Sequence, residues 1–195
     1  MWRNLAWNRT TWLGRKIESA PTDLLAYQEL IATVRPDWVV EIGGSDGGGR
    51  ALFLASICEL VGHGQVLSVD VEERADRPEH ARLQYLKGEG YQKKTAEAVE
   101  AIVAGGSAIV VLGAFRDRQG TFRAFNRYES LVPVGSYVVV ADTIVNGHPV
   151  WPGFGPGPAE AVKQILNTNG DFLADPSMEK YSLTFNPSGY LKRVK

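Results

Sequence analysis

Two carboxylates and a run of glycines set the chemical problem. The stretch VVEIGGSDGGGR (39–50) places Glu41, Gly43, Ser45 and Gly47 two residues apart, and QVLSVDV (65–71) ends on Asp70. Phosphate-binding loops use backbone N–H groups and often a lysine, and this loop has none. It is also not the dinucleotide pattern G-x-G-x-x-G, because Ser45 and Asp46 interrupt both registers. An acid just ahead of glycines suits a cationic or amine-bearing ligand, while the glycines admit close approach and positive φ. An acid at the end of the next strand can accept hydrogen bonds from both hydroxyls of a ribose. Together the two acids fit S-adenosylmethionine, or its product S-adenosylhomocysteine, better than a nicotinamide cofactor. The plainer reading has the glycines serve helix packing and Asp70 end a solvated strand.

These residues need elements to hold them, and the chain alternates between two periods. Helical spacing is read over 22–34, 51–61, 92–104, 121–132 and 159–169. Short apolar runs at 37–43, 65–71, 83–88, 108–113 and 136–142 read as strands, and YSLTFN and GYLKRV around PSG read as a closing hairpin. Thr22 or Asp23 is expected to cap the first helix. The alternation predicts an α/β fold: a three-layer Rossmann-like sheet, mainly parallel, with a C-terminal antiparallel hairpin. In such a sheet ligands sit beyond the carboxyl ends of the strands. Those ends carry Glu41 to Gly43, Asp70-Val71, Gly88 to Gly90, Gly113 and Ala141-Asp142. Residues 1–21 read as an N-terminal arm and 22–195 as one domain.

Composition narrows the class further. The chain has 195 residues, 44% of them hydrophobic, enough for one substantial core. A formal net charge of −1 gives no electrostatic case for nucleic acid or an anionic membrane as partner. The single cysteine, Cys58, cannot form an internal disulfide, and its place in an apolar helix makes it a small core residue. The absence of a long apolar run and of a signal-like N-terminus gives the expectation of a cytoplasmic protein.

In sequence the chain resembles the cephalosporin hydroxylase and rhamnosyl O-methyltransferase family, which has the class I methyltransferase fold. The resemblance is carried by TWLG (11–14), PTDLLAYQELIATVRPDWVVEIGGSDGG (21–48), GQVLSVDV, GSYVVVAD, GPGPAEAV and NPSGYLKR, from about Thr11 to the C-terminus. It implies adenosylmethionine binding, action on sugars or specialised small-molecule metabolites, homo-oligomers and usually a divalent metal. Carried over by position, Glu41, Gly43, Ser45 and Gly48 would line the methionine end of the cofactor. Asp70 would hold the ribose, with Val71 beside the adenine and Gly88 and Glu89 nearby.

The departures from the family pattern decide the expected mechanism. After the fourth main strand the family has Asp-Ser-x-His, and this chain has Gly113, Ala114, Phe115 and Arg116. After the fifth it has Glu-Asp, and this chain has Ala141-Asp142. One of three metal-ligand carboxylates is left, and Asp117 further along the loop is not required to help. The expectation is methyl transfer without metal, with Asp142, His148 and Arg116 as the catalytic set. The alternatives are a non-methylating enzyme on the same scaffold and a binding subunit without turnover. The loop 143–158, with Trp151 and Phe154, reads as a lid over the substrate or as a subunit contact. Trp2, Trp7 and Trp12 read as docking on the sheet domain or on a neighbouring subunit.

Overall fold

The computed structural model describes residues 6–44, 46–113, 117–145, 150–151 and 153–195. The arm comes first: a short 3-10 turn, Ala6–Arg9, then strands β1 (Thr11–Trp12) and β2 (Arg15–Lys16), which pair antiparallel. Helix α1 (Pro21–Val34) follows, then β3 (Trp38–Ile42), α2 (Gly49–Val61), β4 (Gln65–Asp70), β5 (Leu83–Lys87), α3 (Lys93–Val103) and β6 (Ala108–Leu112). The remainder is α4 (Arg118–Tyr128), β7 (Tyr137–Val140), α5 (Pro158–Thr168), β8 (Phe172–Ala174) and β9 (Tyr190–Arg193).

The main sheet has the order β5-β4-β3-β6-β7-β9-β8, parallel through β7 and antiparallel from there on. Successive residues of a strand face opposite sides, and this alternation builds three layers. Val40, Ile42, Leu67, Val69, Val110 and Leu112 pack toward α3, α4 and α5. Val39, Val66, Ile109 and Val111 pack toward α1 and α2. Each such side chain, fully buried, contributes roughly 1.5–3 kcal/mol. The chain runs from β3 to β4 on one side and returns to β6 on the other. The crevice beside the carboxyl end of β3 is therefore the switch point at which an open α/β sheet binds ligands.

Three expected features come out differently. The first arm of the C-terminal pairing is β8, not 181–186: β9 lies between β7 and β8. The backbone near 185 is committed elsewhere, since the Phe185 N–H donates to Asp23 Oδ2 at 2.9 Å and the Thr184 hydroxyl to Asp23 Oδ1 at 2.5 Å. For the same reason Asp23 does not cap α1, whose N-cap is Ala20 without a side-chain bond and whose start is set by Pro21. Helix α4 begins three residues early because Asp117 caps it, accepting the Gly120 N–H at 2.8 Å. That role holds Asp117 at the helix end.

Candidate functional site

The carboxyl ends of β3 and β4 build the first half of the crevice. Gly43 and Gly47 have φ of 78° and 75°, a conformation only glycine adopts without strain. A side chain on Gly44 would lie 3.0 Å from Ser68 Oγ and 3.4 Å from both Asp70 Oδ2 and Glu41 Oε2. The backbone of Gly44 is thus left bare beside three oxygens. Gly48 and Gly49 serve packing instead: a Cβ on Gly48 would meet the Tyr85 hydroxyl at 2.8 Å, and one on Gly49 would overlap the Lys16 carbonyl.

Glu41 stands beneath the turn rather than in the opening. Its side chain is fully buried, accepting from Arg50 Nε and from Ser68 Oγ at 2.6 Å each. Arg50, in the first turn of α2, also donates through Nη2 to the Gly43 carbonyl at 3.3 Å. Burial works against the guanidinium charge, but Glu41, with Tyr27 and Asp142, holds the group above its ordinary pKa.

Asp70, at the tip of β4, is partly exposed. Its Oδ1 accepts the Glu72 N–H at 3.2 Å, and Arg77 Nη2 lies 3.3 Å from its Oδ2. The Arg77 guanidinium in turn lies 4.8 Å from the centre of the Tyr85 ring. Val71 is exposed on an open cleft with Glu72, Glu73, Arg74 and Lys87. Gly88 donates its N–H to the Asp70 carbonyl at 2.9 Å, and Glu89 accepts from Gln92 at 2.6 Å. Asp70, Val71, Gly88 and Glu89 therefore lie together along one rim. The approach to Gly43 and Gly44, free of side chains and beside the partly exposed Asp70 carboxylate, fits a ligand with hydroxyl donors, as S-adenosylmethionine has.

The ends of β6 and β7 build the second half. Asp142 sits at φ 58°, in the left-handed region that favours glycine. Its N–H donates to Asn186 Oδ1 at 2.9 Å. Asn186 is buried and reaches the hydroxyls of Tyr190 at 3.2 Å and Tyr27 at 3.5 Å; Tyr190 donates to Asp23 at 3.0 Å. Asp142 also lines a cavity of about 100 Å³ with Trp7, Glu18, Trp151, Phe154 and Phe185. Trp7 meets Phe185 edge-on, with ring centroids 6.5 Å apart. Trp12 anchors the arm on α2 by an edge contact with Phe53 at 5.0 Å and a bond to Ser56 Oγ at 3.1 Å. Two of the tryptophans thus dock on this same chain. Trp2, and the site residues Ser45, Arg116 and His148, lie outside the described residues.

Positions 113 and 141 are glycine and alanine, leaving Asp142 as one carboxylate where a hard cation takes several oxygens. Among the described residues no group of three or more His, Cys, Asp or Glu is placed to hold a metal ion. Motif reading did not single out Ser68, Glu18, Asn186 or Arg50. Only Arg50 leaves a local signal: a cation in the first turn of a helix opposes the helix dipole and needs a buried counter-charge.

Comparison with known proteins places this architecture. A model of the family described as Rhamnosyl O-methyltransferase/CmcI matches residues 4–194. A rhamnosyl O-methyltransferase of Mycobacterium leprae (strain TN) is 32% identical over 97% of this chain and 86% of its own length. One from Mycobacterium tuberculosis (strain ATCC 25618 / H37Rv) is 30% identical over 97% and 80%. Among solved structures, CmcI with Mg and SAM superposes with a TM-score of 0.74 at 20% identity, covering 96% of this chain and 78% of that one. CalS11, a TDP-rhamnose 3'-O-methyltransferase, superposes at 0.60 with 16% identity, over 88% and 78%. With its sheet, its glycine turn and nearly its whole length matched, the chain belongs to the rhamnosyl O-methyltransferase/CmcI family of S-adenosylmethionine-dependent methyltransferases.

Proposed function

We propose that the protein transfers a methyl group from S-adenosylmethionine to a hydroxyl oxygen of a sugar-bearing small metabolite, without a divalent metal. The observation that carries this reading is the meeting, at one set of strand ends, of the Gly43-Gly44 and Asp70 rim with an aromatic cavity holding Asp142. The names of the similar proteins support a sugar as acceptor.

When bound, the cofactor supplies an electrophilic methyl on a sulfonium. The chain does the rest. Asp70 accepts hydrogen bonds from the ribose hydroxyls, and binding them requires Arg77 to yield part of its hold on Oδ2. Gly43 and Gly44 let the ligand approach the backbone, while Glu41 acts on the methionine end through the shape and charge of the turn it holds. Val71, Gly88 and Glu89 border the adenine. Trp7, Trp151 and Phe154 give flat apolar walls against which a sugar ring can stack. Asp142 accepts the proton of the acceptor hydroxyl, with His148 and Arg116 on neighbouring loops completing the set. Holding that oxygen in line with the methyl supplies much of the acceleration, and a positioned base typically adds a factor of about 10²–10⁴.

The test uses cofactor labelled in its methyl group and TDP-rhamnose or methyl α-rhamnoside as acceptor. Label is expected in the sugar, undiminished by EDTA. Consumption of the acceptor without label would favour a different reaction on the same scaffold, and no turnover with the labelled cofactor by a protein that separately binds S-adenosylhomocysteine would favour a binding subunit.

A further inference from the structure

We propose that Asn186 is a positioning residue for methyl transfer, a role that rests on the reading of Asp142 as the base. Asn186 holds the backbone of Asp142 in the left-handed conformation that turns its carboxylate into the aromatic cavity.

Asp142 has to leave the line of its strand to reach that cavity. Successive residues of a strand face opposite sides, and Val138 and Val140 both pack toward α3, α4 and α5. Continued past Val140, β7 would carry the side chain of residue 142 to the same side. The cavity is instead walled by Trp7 and Glu18 of the arm, which docks on α2 at the opposite face. The change of side coincides with φ of 58° at Asp142 and with a turn closed by the Val145 N–H on the Asp142 carbonyl at 3.1 Å. A residue with a side chain keeps a positive φ where its surroundings over-determine it.

Those surroundings are the turn 185–189. The Asp142 N–H donates to Asn186 Oδ1 at 2.9 Å, the Thr143 hydroxyl to the Pro187 carbonyl at 2.7 Å, and the Ile144 N–H to the Phe185 carbonyl at 3.0 Å. A Cβ on Gly189 would lie 2.3 Å from the Val140 carbonyl, so the turn meets the end of β7 with no side chain between them. Asn186 is itself held one way round. A backbone N–H only donates, so the amide oxygen must face Asp142, and the amide nitrogen then faces the Tyr190 hydroxyl at 3.2 Å. That hydroxyl donates onward to Asp23 Oδ1 at 3.0 Å. Asp23, buried on α1, also accepts the Thr184 hydroxyl and the Phe185 N–H. Every bond from Asp142 to Asp23 thus runs in one direction. Flipping the Asn186 amide would lose the Asp142 bond and draw the Tyr190 proton away from Asp23. Asn186 acts on the reaction through Asp142 alone, and a misplacement of about 1 Å at a reacting group can cost about 10²-fold in rate.

Two variants of the full chain test this. Asn186→Ala removes the acceptor for the Asp142 N–H. Tyr190→Phe keeps the ring and removes the hydroxyl that orients the amide. The first readout is nuclear magnetic resonance of protein saturated with S-adenosylhomocysteine. In Asn186→Ala the Asp142 amide is expected to exchange with deuterium about 10-fold faster, and its backbone carbon shifts to leave the left-handed range, while the β3 amides keep wild-type protection. Tyr190→Phe should move Asp142 in the same direction by less. If Asn186→Ala loses protection throughout the sheet, Tyr190→Phe decides alone. Wild-type exchange and shifts at Asp142 would overturn the proposal. The second readout is transfer of labelled methyl to TDP-rhamnose or methyl α-rhamnoside, with Asp142→Asn run alongside. The kcat is expected to fall by roughly 10- to 100-fold in both Asn186→Ala and Asp142→Asn. S-adenosylhomocysteine affinity should stay within about two-fold of wild type, which a general loss of structure would not spare. A fall in Asp142→Asn without one in Asn186→Ala would overturn the positioning role and leave the proposed function standing. Wild-type kcat in Asp142→Asn would remove Asp142 as the base, and the role of Asn186 with it.

Discussion

The two halves of the crevice are made in different ways. The half at β3 and β4 is built from backbone conformation and a closed ion pair: glycines at positive φ, with Glu41, Ser68 and Arg50 locked beneath them. The half at β6 and β7 is built from side chains that converge from distant parts of the chain. Trp7 and Glu18 come from the arm, Asp142 from the end of β7, Trp151 and Phe154 from the following loop, and Phe185 from the turn before β9. The first construction fixes a shape through the backbone and a buried pair. The second can change its walls without disturbing the sheet, which is how one scaffold comes to serve different acceptors.

If that division is right, damage to the first half should appear as lost stability or lost cofactor affinity, and damage to the second only at the acceptor. The largest effect is expected for Arg50→Ala. It leaves Glu41 buried and unpaired, a change that typically costs about 3–5 kcal/mol, and denaturant unfolding would read the loss. A shift below about 1 kcal/mol would show the pair to be ornamental and the comparison ill drawn. Next comes Asp70→Ala, with little effect on stability because the side chain is partly exposed. Losing a charged acceptor to ribose hydroxyls should weaken S-adenosylhomocysteine binding by roughly 10- to 100-fold, measured by calorimetry. Unchanged affinity would move the ribose away from β4.

The same division explains what could be read from the sequence. The sheet, six of its seven strands and the glycine turn were legible because they rest on local rules: period, helix stops, and the need for glycine where φ is positive. The place of Asp70 at the end of β4 was legible because a strand end followed by a turn announces itself. The role of Glu41 was only half legible. An acid before glycines marks a special turn, but whether it faces a ligand or a guanidinium depends on Arg50, nine residues on, and on Ser68 in another strand. The β8–β9 pairing was missed because the Phe185 N–H and the Thr184 hydroxyl are claimed by Asp23 on α1, a contact across 162 residues at Phe185 that no local pattern encodes. The cavity was read only in part, through Asp142, Trp151 and Phe154. Glu18 and Trp7 carry no motif, and their place beside Asp142 follows from how the arm docks through Trp12.

A smaller effect should follow from Trp151→Ala. Trp151 is half exposed and packs on Phe154, with ring centroids 5.5 Å apart. Its removal should leave both the unfolding midpoint and S-adenosylhomocysteine affinity at wild-type values. Loss of a stacking wall worth about 0.5–1.5 kcal/mol would raise the KM for a sugar acceptor by roughly 2- to 10-fold. A change in cofactor affinity of similar size would mean that the two halves are not separable.

The smallest and most discriminating measurement uses Cys58. It lies inside α2, the helix that starts at the glycine turn, with its side chain buried and its thiol pushed up to about 11 by desolvation. The thiolate is the reactive form, so the native protein should react with a disulfide reagent at neutral pH only when α2 opens. A ligand that binds the closed state at 100 times its Kd stabilises it by about 2.7 kcal/mol and should slow labelling by about 100-fold, provided the opening that exposes Cys58 also destroys the cofactor rim. S-adenosylhomocysteine is expected to give that slowing, while Trp151→Ala leaves the rate within about two-fold of wild type, because Trp151 lies on the loop after β7 and not on the arm that docks on α2. Labelling that ignores the ligand would show α2 opening independently of the rim. Labelling accelerated by Trp151→Ala would show that the aromatic walls hold the sheet's ligand-binding edge closed, and the division between the halves would then be one of sequence only.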